Sequence, residues 1–174
     1  MRNLILSSLL LLPILAVAQE GPAMSPPKEL DIFKPMIGTW GGKLDATFPG
    51  MPESSIDMKL AFSWDGQFIK NVASMDMGGM KMTETMYFGW NAEKSKYQSW
   101  AFTNWAPTPR IEWGVVEGNK SVWTCEPWDG GMGQKTVSRT TITVKDEKTV
   151  HFLLEFQMGD KFTPVMNGDI TKVK

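Results

Sequence analysis

The chain has 174 residues, with 18 Lys+Arg against 19 Asp+Glu, one His, one Cys, 13 Met and 8 Trp. That length suits a single domain, and the balanced charge argues against a nucleic-acid groove or a polybasic membrane patch. One Cys excludes an internal disulfide framework, and one His beside one Cys excludes the usual zinc constellations and leaves few nucleophilic dyads.

In chain order, the first element is a targeting segment. Arg2 is the only basic residue before an apolar run from Leu4 to Val17, and Ala16-Val17-Ala18 has the small-x-small form of a cleavage site. Residues 1–18 therefore read as a secretory signal peptide, removed on export to a periplasm or the exterior. The run is interrupted by Ser7, Ser8 and Pro13 and is too short for a membrane helix, so no stable membrane anchor is expected.

Residues 19–27, rich in Pro and small residues, read as a flexible lead-in to a domain over 28–174. Lys28–Met36 reads as one or two helical turns stopped by Pro35, with Leu30 and Phe33 on one face. From Gly38 onward, apolar–polar alternation replaces the helical period, and Gly, Asp and Asn punctuate it. Ten strands are predicted: Gly38–Phe48, Ser55–Trp64, Phe68–Met77, Met80–Trp90, Lys96–Thr103, Arg110–Glu117, Lys120–Glu126, Lys135–Lys145, Thr149–Met158 and Lys161–Thr171. Asp65-Gly66, Gly78-Gly79, Gly118-Asn119 and Gly159-Asp160 suit tight hairpins, because Gly and Asn accept positive φ at little cost.

Ile56, Met58, Leu60, Phe62 and Trp64 share one side of the second strand. Val150, Phe152, Leu154, Phe156 and Met158 share one side of the ninth. Sequential hairpins with one apolar face and no helices to cover it close on themselves, since a long open sheet would expose its edges. The expectation is all-β: an up-and-down antiparallel barrel of about ten strands with a short N-terminal helix. Counts of eight or nine, or a two-sheet sandwich, are the competing architectures.

Met36-Ile37-Gly38-Thr39-Trp40-Gly41-Gly42 resembles the G-x-W opening of lipocalin-like (calycin) barrels. Phe88-Gly89-Trp90-Asn91, Lys96-Tyr97-Gln98-Ser99-Trp100 and Thr103-Asn104 look like an uncharacterised family of exported bacterial proteins within that group. The similarity spans roughly Leu30 to Lys172. It implies that Trp40 packs at the closed barrel end beneath Lys172, a cation–π pairing with a physical rationale. Nitrobindin-like haem barrels are more distantly similar. The resemblance places Val165 where their axial His stands, and Val cannot ligate iron. No cofactor is therefore expected, and Met166 alone would be the remaining axial candidate.

In a meander, successive loops alternate between the two ends. Loops at 65–67, 91–95, 118–119 and 146–147 are short and polar and read as a sealed base. The opposite end collects Pro49, Met51, Trp105, Pro107, Pro109, Trp128 and Met132, with Met77, Met80 and Met158 at adjoining strand ends. An aromatic, apolar rim of this kind marks a binding mouth, or else a hydrophobic lid over a filled core. The candidate ligand-binding set at this mouth and interior is Met58, Phe62, Met77, Met80, Glu84, Met86, Trp105, Arg110, Trp128, Phe156 and Met158.

Three functional readings follow. The leading one is non-catalytic binding of a small apolar ligand. The second uses the hairpin Met75-Asp76-Met77-Gly78-Gly79-Met80-Lys81-Met82. A two-residue turn pairs Met77 with Met80 and Met75 with Met82, so four thioethers share a face and suit Cu(I), or serve as adaptable packing. Glu84 continues that face, where an inward carboxylate needs a partner such as Arg110 or Arg139 unless a bulge turns it outward. An enzyme using Glu84 with Arg110 is the third reading, with no orienting partner in view. Cys125 reads as a buried or half-buried free thiol and His151 as a surface strand residue. The sequence does not define the oligomeric state.

Overall fold

The computed structural model describes residues 25–173, apart from 78 and 132. The signal peptide over 1–18, most of the lead-in, and the rim residue Met132 lie outside the described residues.

The first element is a 3-10 helix over Lys28–Met36, which runs through Pro35 rather than stopping before it. Pro35 ends the element one residue later, at Met36. The strands follow as β1 (Gly38–Ala46), β2 (Ser54–Asp65), β3 (Phe68–Met77), β4 (Met80–Asn91), β5 (Lys96–Thr103) and β6 (Arg110–Glu117). Next come β7 (Lys120–Cys125), β8 (Trp128–Asp129), β9 (Lys135–Thr136), β10 (Ser138–Val144), β11 (Thr149–Met158) and β12 (Lys161–Lys172). Ten of these close into one antiparallel barrel in the order β1-β12-β11-β10-β7-β6-β5-β4-β3-β2. This is the meander that the alternation predicts. Among the described residues no helix is long and apolar enough to cross a membrane.

Several strand ends shift by one or two residues from their expected bounds, and one strand is divided. The segment read as a single strand over 135–145 is divided at Val137. Lys135–Thr136 leave the barrel to pair with Trp128–Asp129 in a small hairpin, and the barrel strand starts at Ser138. The cause is local. Ser138 donates from both its backbone N–H and its hydroxyl to Cys125 Sγ, at 2.9 and 3.2 Å, which pins the strand start to the end of β7.

β12 carries a bulge. Leu154 pairs with Met166 but Glu155 pairs with Pro164, so Val165 is the extra residue. Pro has no N–H to give a ladder, and a bulge is where a strand tolerates it. Val165 is buried, and its carbonyl accepts from Thr47 N–H, which carries β1 past its last paired residue. Closure of the barrel depends on close approach at Gly42. A Cβ there would stand 2.5 Å from the Asp169 carbonyl oxygen, so only glycine admits β12 at that distance.

The interior is apolar over most of its depth, with Trp40, Leu44, Ile56, Met58, Leu60, Ile69, Met86, Phe88, Trp123, Met166 and Ile170 buried. The helix lies over the end where β1 begins and β12 finishes. Three side chains tie it down. Trp40 Nε1 donates to Met36 O (2.7 Å), Tyr97 Oη to Glu29 O (3.0 Å) and Lys172 Nζ to Pro35 O (2.9 Å). Lys172 Nζ also lies 5.3 Å from the Trp40 ring centroid.

Candidate functional site

Two features set this barrel interior apart: an aromatic cavity beneath the helix, and a layer of charge toward the Met-rich end. The cavity holds about 80 Å³. Its apolar wall is Ile32, Phe33 and Met36 from the helix, Phe62, Ile69, Phe88, Val116 and Trp123 from the barrel, and Ile142 and Val144 from β10; Gly118, Asn119, Lys120 and Ser121 complete it. Phe33 reaches down so that its ring lies 5.3 Å from Tyr97, 6.0 Å from Trp123 and 6.4 Å from Phe88. Trp123 lies across β6 because its cross-strand partner is Gly114, where a Cβ would stand 2.6 Å from the indole. A second, shallower concavity of about 330 Å³ adjoins it, lined by Pro35, Trp40, Asp146 and Val150, with Met36 and Val144 shared. Both lie at the end read from the sequence as a sealed base. Loops that are short and polar do not seal a barrel when the element across it is a single 3-10 helix.

The charged layer is built from three adjacent strands. Arg110 bridges two carboxylates, with Nη1 3.0 Å from Glu84 Oε2 and Nε 3.0 Å from Glu112 Oε1. Ser99 Oγ donates to Glu112 Oε2 at 2.7 Å. All four residues point inward, and the register shows how they fit. On β5, Ser99 stands opposite Phe88 and Glu112, while Ala101 stands between Met86 and Arg110. These small side chains leave room for Glu84 to reach Arg110 across the intervening strand.

Two carboxylates facing one guanidinium leave an excess negative charge if both ionise. Burial pushes the Glu84 carboxyl above its usual range, Arg110 pulls it down, and the Glu112 charge adds to the rise; the net shift is upward. Burial alone would lower Arg110, but Glu112 and Glu84 reverse that and raise it, so it stays a cation. A raised native pKa means that the folded state binds the proton more tightly than the unfolded one. Stability therefore declines as pH rises from the unfolded value of about 4.5 toward the native value. Glu84→Gln, which cannot titrate, is expected to flatten that decline. Urea unfolding at a series of pH values checks it, and an unchanged slope would contradict the assignment.

The Met-rich end is closed over by its own loops. Trp128, on β8, donates its indole N–H to Thr108 O at 2.9 Å, and Arg110 lies 5.4 Å from its ring. Phe48 packs on Phe156 at 6.0 Å. Arg110, one of the candidate ligand-binding residues of the mouth and interior, is thus an interior cation already engaged by two carboxylates. Glu84 turns inward to Arg110, and Arg139 belongs instead to Glu155, whose side chain is itself buried. Met58, Phe62 and Met86 are buried wall residues, and Phe62 is the one of them that lines the cavity. Trp105 is half-buried, whereas Met80 and Met158 are exposed at strand ends.

In the methionine hairpin, Met75 pairs with Met82 and Met77 with Met80, and Met58 stands opposite Met75 on β2. Gly79, at φ +100°, donates to Asp76 Oδ1 at 2.8 Å and forms the turn. Cys125 is a buried free thiol, and His151 pairs with Asp169 on the outside. Phe33, Ile69, Phe88, Trp123, Asn71, Ser99 and Glu112 are among the site residues that the sequence reading missed. The Arg110-x-Glu112 spacing was a usable signal, since alternate strand positions share a face.

The fold and its interior define a class: small closed antiparallel barrels capped by a short helix. The family described as "Protein of unknown function (DUF1579)" matches residues 25–172, and the chain belongs to that family. The crystal structure of Rv2717c from M. tuberculosis is similar in fold, with a TM-score of 0.65 at 12% identity, covering 86% of this chain and all of that one. Among curated proteins nothing matches.

Proposed function

We propose that this protein is exported and binds a small, largely apolar molecule, without converting it, in the cavity beneath the helix. The observation that carries this reading is the aromatic cavity walled by Phe33, Phe62, Phe88 and Trp123. Concave, mostly apolar sites with few polar groups are where small ligands bind. The binding end is accordingly the helix end and not the Met- and Trp-rich end, whose loops pack on one another. Native mass spectrometry of protein purified without refolding tests the reading. A co-purifying organic mass is expected, and Ile142→Trp, which fills the cavity, should lose it. Retention of the mass by that variant would place binding elsewhere.

A second reading rests on the hairpin register, which sets four thioethers on two rungs of one face, with the Asp76–Lys81 rung between them. Directly opposite side chains have Cβ atoms about 5 Å apart, so flexible thioethers there can converge on Cu(I). Replacing Met75, Met77, Met80 and Met82 with Leu should leave the protein folded, at under about 1.5 kcal/mol each. If the cluster binds Cu(I), an anaerobic competition titration will show its loss in that variant. Equal, weak uptake by both proteins is the expected outcome if the methionines only pack, and it would remove the metal reading.

A further inference from the structure

Asn71 is 4% exposed, and its Oδ1 is a buried side-chain oxygen without a hydrogen-bond partner. It stands on the inward face of β3, opposite Phe62 on β2 and Met86 on β4. Ile69, two residues earlier on the same face, lines the cavity beneath the helix, and so do Phe62 and Phe88, the latter opposite Ile69. Asn71 therefore sits one register step deeper into the barrel than the cavity wall. An unpaired buried amide oxygen costs free energy that an apolar side chain of the same shape would not.

The surroundings do not supply a partner. The inward neighbours of Asn71 are Phe62, Ile69, Ala73 and Met86, none with a donor, and Glu84 beyond them is committed to Arg110 at 3.0 Å. Nor do they suit a buried water, which needs two to four polar partners. The polar part of the cavity lining, Asn119, Lys120 and Ser121, belongs to β7 and the loop before it, whereas the aromatic wall adjoins one unpaired acceptor, which matches a ligand with one donor on an otherwise apolar body. A hydroxyl also tolerates either orientation of the amide, because it can donate to Oδ1 or accept from Nδ2.

We propose that Asn71 is the polar anchor of the cavity, and that the ligand is a compact aromatic alcohol or phenol whose hydroxyl hydrogen-bonds the Asn71 amide. This inference rests on the ligand-binding reading above and names the ligand class of that same site. A volume of about 80 Å³ suits a single ring better than a long acyl chain. Four aromatic side chains, Phe33, Phe62, Phe88 and Trp123, offer the faces and edges against which a ring packs. Phe33 belongs to the helix, not to the hydrogen-bonded wall, which makes it the aromatic lining residue best able to adjust to a ring.

The test compares phenol with benzene and fluorobenzene, ring-sized probes that lack a donor, by titration calorimetry on the wild-type chain and on Asn71→Leu. The wild type is expected to bind phenol at least about tenfold more tightly than either analogue, because only phenol satisfies the buried oxygen. Asn71→Leu should lose that preference, keep its affinity for benzene and unfold at the same or a higher temperature. Equal binding of all three probes by the wild type would overturn the anchor and leave the ligand-binding reading standing. Binding of none of them would overturn both. Should the Leu variant fail to fold, the wild-type preference for phenol over fluorobenzene decides the matter alone.

Discussion

Replacing Arg110 with Leu is expected to destabilise the barrel by about 3–5 kcal/mol, the range for removing one partner of a buried ion pair. For a chain of this size, that corresponds to a loss of roughly 6–20 °C in Tm. Arg110 is the shared counter-ion of Glu84 and Glu112, whose side chains are 9% and 2% exposed. Without it, two carboxylates face each other in a space from which water is largely excluded. They must take up protons or draw water into the barrel, and both responses cost stability. Since the penalty comes from the orphaned charges, Arg110→Leu combined with Glu84→Gln and Glu112→Gln should recover most of it. Thermal and urea unfolding of the single and triple variants check this. A single variant within about 1 kcal/mol of wild type would mean that Arg110 does not neutralise this layer.

Trp40→Ala is expected to cost about 3–5 kcal/mol, the range for truncating a buried Trp. Its side chain is 2% exposed and packs where the barrel meets the helix. The loss extends beyond volume. The indole N–H holds Met36 O at 2.7 Å, and Lys172, which holds Pro35 O, lies over the ring. Trp40→Ala removes the first tie and undermines the second, leaving Tyr97 Oη on Glu29 O as the remaining tie of the three. Trypsin cleavage after Lys28 and chymotrypsin cleavage after Phe33 should therefore accelerate more than global unfolding does. Trp40→Phe, which keeps an apolar ring but loses the donor, should fall between the two, at about 1–2 kcal/mol. Equal protease sensitivity in all three proteins would show that the helix is held by Phe33 instead.

The strand pattern was legible because one-sided burial leaves a period-two trace. On β2, Ile56, Met58, Leu60 and Phe62 are buried while Asp57, Lys59 and Ala61 are exposed. The hairpin register was legible too, since Gly79 within a short turn leaves little freedom in pairing Met75–Met77 with Met80–Met82. The cavity was not. Its walls come from the helix, β2, β3, β4, β6, β7 and β10, and no local pattern says how far a nine-residue 3-10 helix sinks into a barrel mouth.

The sequence by itself determined the meander, its closure and the inward face of the strongly alternating strands, because those properties follow from neighbouring residues along the chain. The tertiary structure alone decided which way β5 and β6 face. On β6, Ile111, Trp113 and Val115 alternate with Arg110, Glu112 and Gly114, Val116 being the one apolar residue on the second side, and alternation read locally would turn the first set inward. Instead Val115 is 53% exposed, and Arg110, Glu112 and Gly114 face the interior; on β5, Phe102 is 51% exposed while Ser99 and Ala101 face in. A strand in a closed barrel takes its face from the register of its neighbours, since a slip of one residue would turn every side chain over. Phe88 inward on β4 sets Ser99 inward on β5, and Ser99 sets Glu112 inward on β6. The ladder places three charged residues inside, and the mutual pairing of Glu84, Arg110 and Glu112 makes that placement tolerable.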